Sequence, residues 1–593
     1  MIVSSTTSIR LTLYEYIPLL LISVTHILLL NSHSPLSGMD VGYYSSRLLD
    51  LLLHFREQGI LSIQWWTPSY GGGIPAFPSP LHYQYSITPY LVLIFSPWVS
   101  TIITYVIFNI LGYILVIKYV KNHLDMGSLT GTLAAVIFTT SGFWICHSLA
   151  GHLSYHTFTL IAIVPYMINS KWSNNQKIII FSGAVIYMIH SGAYFPIYLT
   201  YLSFFQLIFF FILVNKVNIR KLIVVLFSSH VIIIGVSLAK VVAVSLHMDI
   251  VPRLNSYSSW QPYFISLPFA NLFQLFSWRY LYPIEALLPI PADSILFWVC
   301  GSRYEFWEND VSVSPVVLPM LLYGIYKLRN QIKKIFLEKK LCSLLMLLVF
   351  WFSAEISIGK GLSWTIIKDL PMIKSTHVNV RYCGSLILFL TILTSYFHFY
   401  LFRKGSKLYN NLFTFLAISL SVLSMFSYYF IIDDKDGFIS YDRSYEKTVW
   451  EEIQDGDSMI PINSIINTKM KDHFSQYQAN ASSFMPNDPL YGYHGHYFIS
   501  SLKVGPVEEI DEDGFFNFHN PRTFYDPKIA SIPRSKIHSN DHVNLRLFIN
   551  RKQPKWELPI IQTVANYITL FSIFLFFIYI VYTFLKKSKL TNS

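Results

Sequence analysis

The sequence predicts an all-α polytopic membrane protein with about twelve transmembrane helices and a small α+β extracytoplasmic cap. Of its 593 residues, 53% are hydrophobic and 13% are charged, whereas soluble domains carry roughly 25% charged residues. Apolar runs of about 20 residues, the length that crosses a bilayer, recur through most of the chain. Short loops rich in Lys and Arg separate these runs, which is typical of cytoplasmic loops.

Twelve apolar segments are predicted to span the membrane. They lie at about 11–30, 86–121, 128–147, 153–170, 177–191, 194–214, 219–245, 311–327, 341–358, 380–402, 408–432 and 558–585. The second segment is too long for one straight span, so Pro97 is expected to separate a short entry helix from the main helix. No cleavage site is evident after the first segment, which we therefore expect to remain as a span.

The basic residues predict the orientation of these spans. If both termini are cytoplasmic, every basic cluster falls on one side, and the longest cytoplasmic connection lies near 327–340. The clusters are Lys118 and Lys121; Lys171 and Lys177; Lys216, Arg220 and Lys221; Lys327 to Lys340; Arg403, Lys404 and Lys407; and Lys586, Lys587 and Lys589. The net charge of +11 therefore indicates topology in the cytoplasmic (inner) membrane, and no nucleic-acid partner is expected.

The larger connecting segments fall on the opposite face, where function is expected. We divide the chain into a transmembrane module at 1–432, with outer segments at 31–85 and 246–310, a cap at 433–557, and a final helix with a basic tail at 558–593. The cap is predicted to mix a short helix, Tyr445 to Ile453, with strand-like runs such as His542 to Ile549.

Several classes of function are disfavoured by what the sequence lacks. It has no GxxxxGK[ST] or dinucleotide fingerprint, and its cytoplasmic loops are too short to hold a nucleotide. The four cysteines are scattered and form no CxxC pair, so neither a metal cluster nor a disulfide framework is expected. Any donor or ligand should therefore arrive from outside the cell or from within the membrane.

Asp40 is the leading candidate for a catalytic residue. It follows the first span closely and should lie near the membrane–water interface, where a carboxylate can accept a proton from a hydroxyl nucleophile. The alternative is a helix N-cap for the residues from Val41 onward, because Asp is a favoured cap residue. The residue pattern alone leaves both interpretations open.

Residues 41–58 are predicted to form an amphipathic helix that lies on the bilayer and ends at Gly59. Its apolar face includes Tyr44, and its polar face includes Arg47, which can either meet a phosphate or serve only as part of an interfacial anchor. The Trp65–Trp66 pair and a run of three glycines follow. The tryptophans are candidates for stacking on a sugar ring, or for simple interfacial anchoring.

A third outer turn carries three histidines, His147, His152 and His156. Their spacing permits metal ligation, but no acidic companions accompany them. A hydrogen-bonding or phosphate-facing histidine and a buried structural histidine are the other interpretations. No metal site is assigned, and a divalent cation such as Mg or Mn is only a possible cofactor.

Further charged residues lie at the predicted outer ends of later spans. Glu305, Glu308 and Asp310 cluster before one span, as an acceptor-orienting group or as a solvated helix start. Arg381 opens another span, where it suits a lipid phosphate or can snorkel to the interface. Lys240 and Glu355 lie inside predicted spans, where ionisable groups are functional candidates unless they snorkel.

These motifs, in their order along the chain, resemble the YfhO-like bacterial membrane proteins of the GT-C glycosyltransferase superfamily. The matching stretches are Gly38 to Asp40; Gln64 to Trp66 with Tyr70 to Pro75; Ser141-Gly142 with Gly151-His152; Phe306 to Glu308; Leu370-Pro371 with Arg381; and Phe516 to Pro521. They are short but spread over nearly the whole chain. One departure is the stretch from Thr376 to Arg381, which lacks a further arginine near His377.

The resemblance implies a GT-C-like helical fold and a polyprenyl-phosphate-linked sugar as donor. By motif match it assigns Asp40 as the catalytic carboxylate, with His152, Glu308 and Arg381 in the cavity. The resulting hypothesis is transfer of that sugar to an envelope glycan or glycolipid acceptor. Arg381, His152 and Arg47 would then bind the donor phosphate, and Glu308, Glu305, Trp65, Trp66 and Tyr44 the sugar or acceptor. The alternatives are a flippase or transporter of lipid-linked saccharides and a non-catalytic envelope assembly protein.

Overall fold

The protein is described here from a computed structural model. The described residues are 11–32, 40–214, 217–248, 272, 275–276, 310–370, 373, 378–402, 407–428, 442–455, 461–467, 474–484, 502–524 and 535–591. Most of them are helical, which agrees with the predicted all-α membrane class.

Eight described helices are long and apolar enough to cross a membrane. They are Leu13–Leu30, Pro97–His123, Tyr194–Val214, Ile219–Met248, Lys340–Ile358, Asn379–Phe402, Leu408–Phe426 and Ile560–Lys586. The last of these continues as a helix to Thr591. The predicted break at Pro97 is confirmed, because a short helix, Ile87–Val92, precedes Pro97 and the main helix starts at that residue.

The other four of the twelve predicted spans take different forms. Segment 128–147 is a bent pair, Gly127–Thr139 and Gly142–Leu149, which would make a ninth span among the described helices if counted as one. Segment 153–170 is a 3₁₀ helix, Leu153–Ile163, followed by the short helix Val164–Ile168. Segment 177–191 is Asn174–His190, which is 17 residues long.

The fourth, segment 311–327, begins at Val317 and continues to Glu338. Residues 327–338, within the predicted cytoplasmic connection near 327–340, therefore continue this helix, and the basic residues from Lys327 to Lys334 lie on it. Their charges are also the reason that the helix is not apolar throughout. Only Lys339 separates it from the next helix, Lys340–Ile358.

The bend between Gly127–Thr139 and Gly142–Leu149 measures 40° and has a packing cause. The Gly142 amide donates to the Ser312 carbonyl (2.7 Å), and a Cβ at Gly142 would lie 2.1 Å from a carboxylate oxygen of Asp310. Asp310 is fully buried and accepts hydrogen bonds from the Ser312 amide and the Tyr428 hydroxyl. The Asp310 side chain therefore occupies the space that a side chain at position 142 would need.

Three contacts place basic residues at one end of the helices. Lys121 pairs with buried Glu15 at the start of the first helix (2.6 Å). Lys171 pairs with Asp125 (2.7 Å), and Lys339 donates to the carbonyl of Leu213 (2.8 Å). We call this the basic end. These contacts agree with the predicted grouping of the basic clusters on one side.

The described parts of 442–557, which we call the C-terminal segment, contain short helices and strands. The helices are Arg443–Asp455, Ser475–Gln478 and His542–Ile549. Strand Ser464–Ile466 pairs in parallel with Ala481–Ser483 and antiparallel with Gly505–Pro506, and Phe515–His519 pairs antiparallel with Lys536–His538. The predicted helix from Tyr445 to Ile453 is confirmed within Arg443–Asp455.

The predicted strand from His542 to Ile549 is wrong, because these residues form a helix. The Asp541 side chain caps its first turn by accepting from the Asn544 amide (3.1 Å). Leu545 and Phe548 are buried, and their spacing of three matches one face of a helix. The capping residue and this burial outweigh the alternating apolar pattern that suggested a strand.

Candidate functional site

The loop helix, Val41–Gln58, begins and ends where the sequence predicts, and the chain leaves it at Gly59 with a φ of 87°. Its environment differs from the prediction, because every residue from Val41 to Phe55 is buried. It therefore does not rest on the bilayer with a polar face in water. Its polar side chains instead bond to other parts of the protein. The apolar face of the helix therefore packs on apolar side chains, and its polar face packs on polar ones.

Asp40 occupies the N-cap position of the loop helix, but its carboxylate makes no capping hydrogen bond. The carboxylate instead lies 2.7 Å from Nε2 of His152, and the Asp40 side chain is 43% exposed whereas that of His152 is 7% exposed. Asp40 therefore occupies the position of a helix cap, but its carboxylate contacts His152 and does not cap the helix. A half-exposed carboxylate held by a buried imidazole is able to meet a hydroxyl group from outside.

A close backbone approach at Gly151 brings these two residues together. The Asp40 amide donates to the Ala150 carbonyl (3.1 Å). Gly151 has a φ of +80°, and a Cβ there would lie 2.0 Å from Cγ2 of Val41 and 2.7 Å from its amide nitrogen. Only glycine accommodates both the left-handed backbone and this contact.

Tyr155 links His152 to Arg381. The ring centroids of His152 and Tyr155 are 5.7 Å apart, and an Arg381 Nη1 donates to the Tyr155 hydroxyl (2.9 Å). His147 packs on the same ring at 4.3 Å. Sequence reasoning missed Tyr155, although its position three residues after His152 on a helical turn was an available signal.

Tyr44 also lies beside this cluster. Its hydroxyl donates to the Ser154 hydroxyl (3.0 Å). Burial raises the pKa of Tyr44 well above its ordinary value, the Ser154 bond partly offsets this, and the charge of Asp40 raises it further. Tyr44 therefore stays a neutral phenol at physiological pH. We call Asp40, His152, Tyr155, Arg381 and Tyr44 the Asp40 cluster.

A second polar group lies further along the loop helix, around Asp50. The Asp50 carboxylate is 4% exposed and accepts from Gln64 (2.9 Å), Thr67 (2.7 Å) and Ser69 (2.5 Å). Ser69 also accepts from buried Arg551 (2.9 Å). Such hydrogen bonds are what a buried carboxylate requires. We call these bonded side chains the Asp50 network. Through the bond from Arg551 to Ser69, the network ties segment 40–85 to the C-terminal segment.

Arg47 belongs to this second group and not to the Asp40 cluster. Its guanidinium stacks over the Tyr70 ring at 4.0 Å, and Tyr70 bonds to Ser46 (2.6 Å) and to Tyr477 of the C-terminal segment (2.8 Å). Burial raises the pKa of Tyr70 to about 12. A cavity of about 20 Å³ lined by Arg47 and Asp50, among others, has room for little more than a water molecule.

Trp65 and Trp66 are buried, with exposures of 8% and 3%, so neither presents an open face to a sugar in this structure. Trp65 packs edge-on against Phe77 at 4.8 Å. Trp66 packs against Phe548 at 5.4 Å, and a Cβ at Gly73 would lie 1.7 Å from its ring.

Lys240 and Glu355 do not snorkel into water, because their exposures are 3% and 4%. Lys240 donates to the carbonyls of Phe77 (2.5 Å) and Ser79 (2.8 Å) and so anchors the loop. Glu355 accepts from the Ser363 amide (2.8 Å). The predicted site residues Glu305 and Glu308, and most of the outer segment 246–310, lie outside the described residues.

Among the described residues, no three His, Cys, Asp or Glu side chains are placed to hold a metal ion. His156 bonds to the Leu153 carbonyl (2.6 Å) and the Tyr187 hydroxyl (3.1 Å), and so does not join His147 and His152. Within the described residues, the Asp40 carboxylate and the His152 imidazole do not make the oxygen-rich octahedral site that Mg prefers.

No protein-family model matches this sequence, and no curated protein is significantly similar to it.

Proposed function

We propose that this chain is a membrane glycosyltransferase of the GT-C type, which moves a sugar from a polyprenyl-phosphate donor to a cell-envelope glycan or glycolipid. The observation that carries the proposal is the contact between the half-exposed Asp40 carboxylate and buried His152 (2.7 Å). The Arg381 cation lies on the same cluster through Tyr155 (2.9 Å). A base and a cation are the two groups that this transfer needs from the protein.

In this reaction Asp40 takes the proton of the acceptor hydroxyl, and the hydroxyl oxygen forms a bond to the anomeric carbon. The bond between that carbon and the phosphate oxygen breaks, and the polyprenyl phosphate leaves as an anion without a general acid. Arg381 and His152 stabilise the charge that develops on the phosphate. Arg47 is left out of this role, because it is stacked on Tyr70 in the Asp50 network.

We assign binding of the sugar or acceptor to Tyr44 and, on the resemblance alone, to Glu305 and Glu308, which lie outside the described residues. Tyr44 supports this because its hydroxyl lies beside Ser154, two residues from His152. The burial of Trp65 and Trp66 gives them a packing role instead. The acceptor rests against the C-terminal segment, which we propose to be the extracytoplasmic cap.

The proposal also includes a module of twelve spans in the cytoplasmic (inner) membrane, with both termini in the cytoplasm. The bent pair and the helices within 153–168, 174–190 and 317–338 complete the eight long spans. The orientation is supported by the contacts of Lys121, Lys171 and Lys339 at the basic end, because positive residues favour the cytoplasmic side.

A non-catalytic envelope assembly protein is a second candidate, and one observation favours it. The Asp50 network and the Trp65–Trp66 pair join the loop to the C-terminal segment by buried bonds, as a scaffold would. In that case the loop serves only to hold an outer domain for a partner. The flippase alternative predicts buried charge that serves a substrate within the spans. Buried Lys240 does not support it, because Lys240 is bonded to the carbonyls of Phe77 and Ser79.

The test is complementation of a deletion strain with the full chain carrying Asp40→Asn. Asn keeps the shape and can still bond to His152, but it cannot take a proton. We expect transfer to fall by about 10²-fold or more, measured by mass spectrometry of envelope glycans and lipid-linked sugars. The matched control is Asp125→Asn, which changes an exposed carboxylate at the basic end and should behave as wild type.

Two results would contradict the proposal. Wild-type glycans in the Asp40→Asn strain would remove Asp40 from the mechanism. If deletion of the chain itself changes no glycan, transfer is excluded in favour of the assembly role. Equal amounts of each variant in the membrane fraction are required for either comparison.

A further inference from the structure

The helix Val317–Glu338 consists of two halves with different surroundings. Its buried residues all lie in the first half: Val317, Met320, Leu321 and Gly324. None of its described residues beyond Gly324 is buried, and the Lys334 side chain is 75% exposed. The first half therefore packs in the helix bundle, whereas the second half lies on the protein surface.

Two neighbouring spans, Tyr194–Val214 and Asn379–Phe402, provide a scale for depth in the bundle. Two aromatic pairs join them, with ring centroids 5.0 and 5.2 Å apart: Phe195 with Tyr382, and Phe210 with Tyr396. The pairs follow the same order in both helices. The two spans therefore run in the same direction, and Val214 and Phe402 lie at nearly the same level.

The two ends of the second half of Val317–Glu338 lie at almost the same depth. At its start, a Cβ on Gly324 would lie 2.4 Å from Cγ of Phe397. Directly after its end, Lys339 donates to the carbonyls of Ile212 (2.6 Å) and Leu213 (2.8 Å). On the scale of the paired spans, these contacts lie within one helical turn of each other.

The length of the helix determines how its second half is oriented. Residues 324–338 extend about 21 Å along the helix axis, because an α-helix rises about 1.5 Å per residue. A course parallel to the spans would carry Lys339 about that far beyond the carbonyls to which it is bonded. The second half therefore runs across the basic end, with one face on the protein and the other facing away from it.

The side chains of residues 327–338 divide into an apolar and a basic set. Half-buried apolar residues recur at helical spacing: Leu328, Ile332, Ile335 and Phe336. The first two of these pack against the core. The exposed residues include four cations: Lys327, Arg329, Lys333 and Lys334. Glu338, 3.8 Å from Lys334, is the one acidic residue in this range, so four positive charges and one negative charge leave a net charge of +3.

Two exposed tyrosines accompany the cations. Tyr323 and Tyr326 are 48% and 60% exposed. The Arg329 guanidinium carbon lies 4.9 Å from the centroid of the Tyr326 ring, and Lys327 Nζ lies 5.6 Å from that of Tyr323. Tyrosine beside lysine and arginine is typical of the headgroup level of a membrane. This composition favours a lipid surface over an acidic protein as the partner.

We propose that residues 327–338, which we call the basic surface helix, bind the anionic headgroups of the membrane leaflet at the basic end. Lys and Arg side chains bond to phosphate oxygens, and clusters of about four or more cations beside a span are typical of segments that bind anionic lipids. Positive charge sets topology wherever it lies in a cytoplasmic loop. The course of this helix across the basic end adds a surface for lipid, and this inference does not rest on the proposed function.

The test is native mass spectrometry of the full chain in a neutral detergent, titrated separately with phosphatidylglycerol and with phosphatidylcholine of identical acyl chains. Each bound lipid adds a resolved mass, so both affinities are measured directly. We expect the wild type to bind phosphatidylglycerol about fivefold or more tightly, because one cation near an anionic headgroup contributes a factor of about five. Replacing all four cations, as Lys327→Gln, Arg329→Gln, Lys333→Gln and Lys334→Gln, should remove most of this preference.

Three further variants make the result decisive. The matched control removes four charges from exposed positions of the C-terminal segment and should keep the preference: Lys447→Gln, Lys503→Gln, Arg522→Gln and Arg546→Gln. A second variant exchanges the two kinds of cation and should also keep it, because the charge is retained: Lys327→Arg, Arg329→Lys, Lys333→Arg and Lys334→Arg. If the fourfold Gln variant does not fold, Lys333→Gln with Lys334→Gln changes only two exposed side chains and should lose part of the preference.

Two results would overturn the inference. Equal affinity of the wild type for the two lipids would reject a lipid surface and leave an acidic protein as the partner of the basic surface helix. An equal loss in the fourfold Gln variant and its matched control would show that overall charge, and not this helix, causes the preference. Neither result depends on glycan transfer in the Asp40→Asn strain, so this inference and the proposed function can fail independently.

Discussion

At the scale of single residues, the side chain of Asp40 shows how one position can satisfy two interpretations of a sequence. Asp40 lies at the N-cap of the loop helix, as a capping residue should, yet its carboxylate contacts His152 and makes no cap bond. Its exposure of 43% leaves it open to an incoming group. The position follows from local sequence, whereas the contact follows from where the turn at Gly151 lies.

We expect Gly151→Ala to separate Asp40 from His152. The new Cβ would meet Val41 at 2.0 Å, so the loop helix must move, and the left-handed backbone adds a cost of about 1–2 kcal/mol. The matched control is Gly127→Ala, where φ is +81° but nothing lies within 4 Å of the added Cβ. It should show the backbone cost alone.

The measurements are thermal unfolding of the purified variants and glycan transfer in the complemented strain. Gly151→Ala should lose more stability than Gly127→Ala and should also lose transfer. Equal unfolding temperatures for the two variants would show that the close approach at Gly151 does not hold the site.

A pH dependence follows from two histidines of segment 40–85, buried His54 and partly buried His82. Burial lowers the pKa of His82 well below its ordinary value, and the charge of Lys240 lowers it further. Burial also lowers the pKa of His54, against opposing effects of the Ser62 carbonyl and Asp50. Both rings are therefore neutral in the folded protein at pH values where the unfolded chain, with an ordinary pKa of about 6.5, binds a proton.

This stability is fully present above about pH 6.5 and is lost as the pH falls below that value, by up to about 1.4 kcal/mol per pH unit for each group. The measurement is the unfolding temperature between about pH 7.5 and pH 5.5. The His82→Gln variant, whose amide can still bond to Gln64, should show a shallower decline. An identical decline in that variant would mean that other groups cause it.

At the scale of elements, the loop helix shows that the periodicity of a sequence predicts the bounds of a helix but not the surroundings of its polar face. Its bounds at Val41 and Gln58 follow from residue pattern and Gly59. The same pattern predicted an interfacial helix, because a polar face signals water or polar partners equally well. Here the polar partners are Tyr70, for Arg47, and the Gln64, Thr67 and Ser69 side chains, for Asp50.

The helix Arg443–Asp455 supplies caps to two other helices. Its buried Glu446 accepts from the Trp98 amide (2.9 Å) in the first turn of the span that starts at Pro97, where a negative charge is favourable. Its Trp450 donates to the Val92 carbonyl (2.9 Å) at the end of the preceding short helix. An element distant in sequence thus satisfies helix ends that their own residues leave open.

We therefore expect Glu446→Ala to destabilise the protein by about 0.5–2 kcal/mol, the range for loss of a helix cap. The control is Glu451→Ala on the same helix, where the carboxylate is exposed and only pairs with Lys447 at 3.4 Å; such surface pairs contribute about 0–1 kcal/mol. Denaturant unfolding of both variants measures the difference. Similar losses for the two would remove Glu446 as a cap.

At the scale of the whole molecule, the contacts divide the protein into two ends. Lys121, Lys171 and Lys339 make their bonds at the basic end, whereas Arg443 of the C-terminal segment bonds to Asn31 at the far end of the first helix (3.0 Å). The C-terminal segment and the basic end therefore lie at opposite ends of the first span. The Asp40 cluster lies near the same end of the first helix, because Ser148, two residues before the Ala150 carbonyl that binds the Asp40 amide, bonds to His26 of that helix (2.6 Å).

This arrangement makes the orientation testable with two single cysteines. In intact cells a membrane-impermeant maleimide should label Glu451→Cys and should label Asp125→Cys only after permeabilisation, because we propose the first to be outside and the second inside. Unsubstituted protein provides the background from the native cysteines. The opposite pattern would place the Asp40 cluster in the cytoplasm and would contradict the proposed donor chemistry.

The sequence by itself determined the helical membrane class, most long spans, the break at Pro97 and the bounds of the loop helix, because hydrophobicity, proline and glycine act locally on the backbone. It also singled out Asp40, His152 and Arg381. Only the tertiary structure decided that these three belong to one cluster, that Arg47 joins the Asp50 network, and that Trp65 and Trp66 pack in the protein interior. Such a division depends on close approaches between distant segments, such as Gly151 against Val41, which no local pattern encodes.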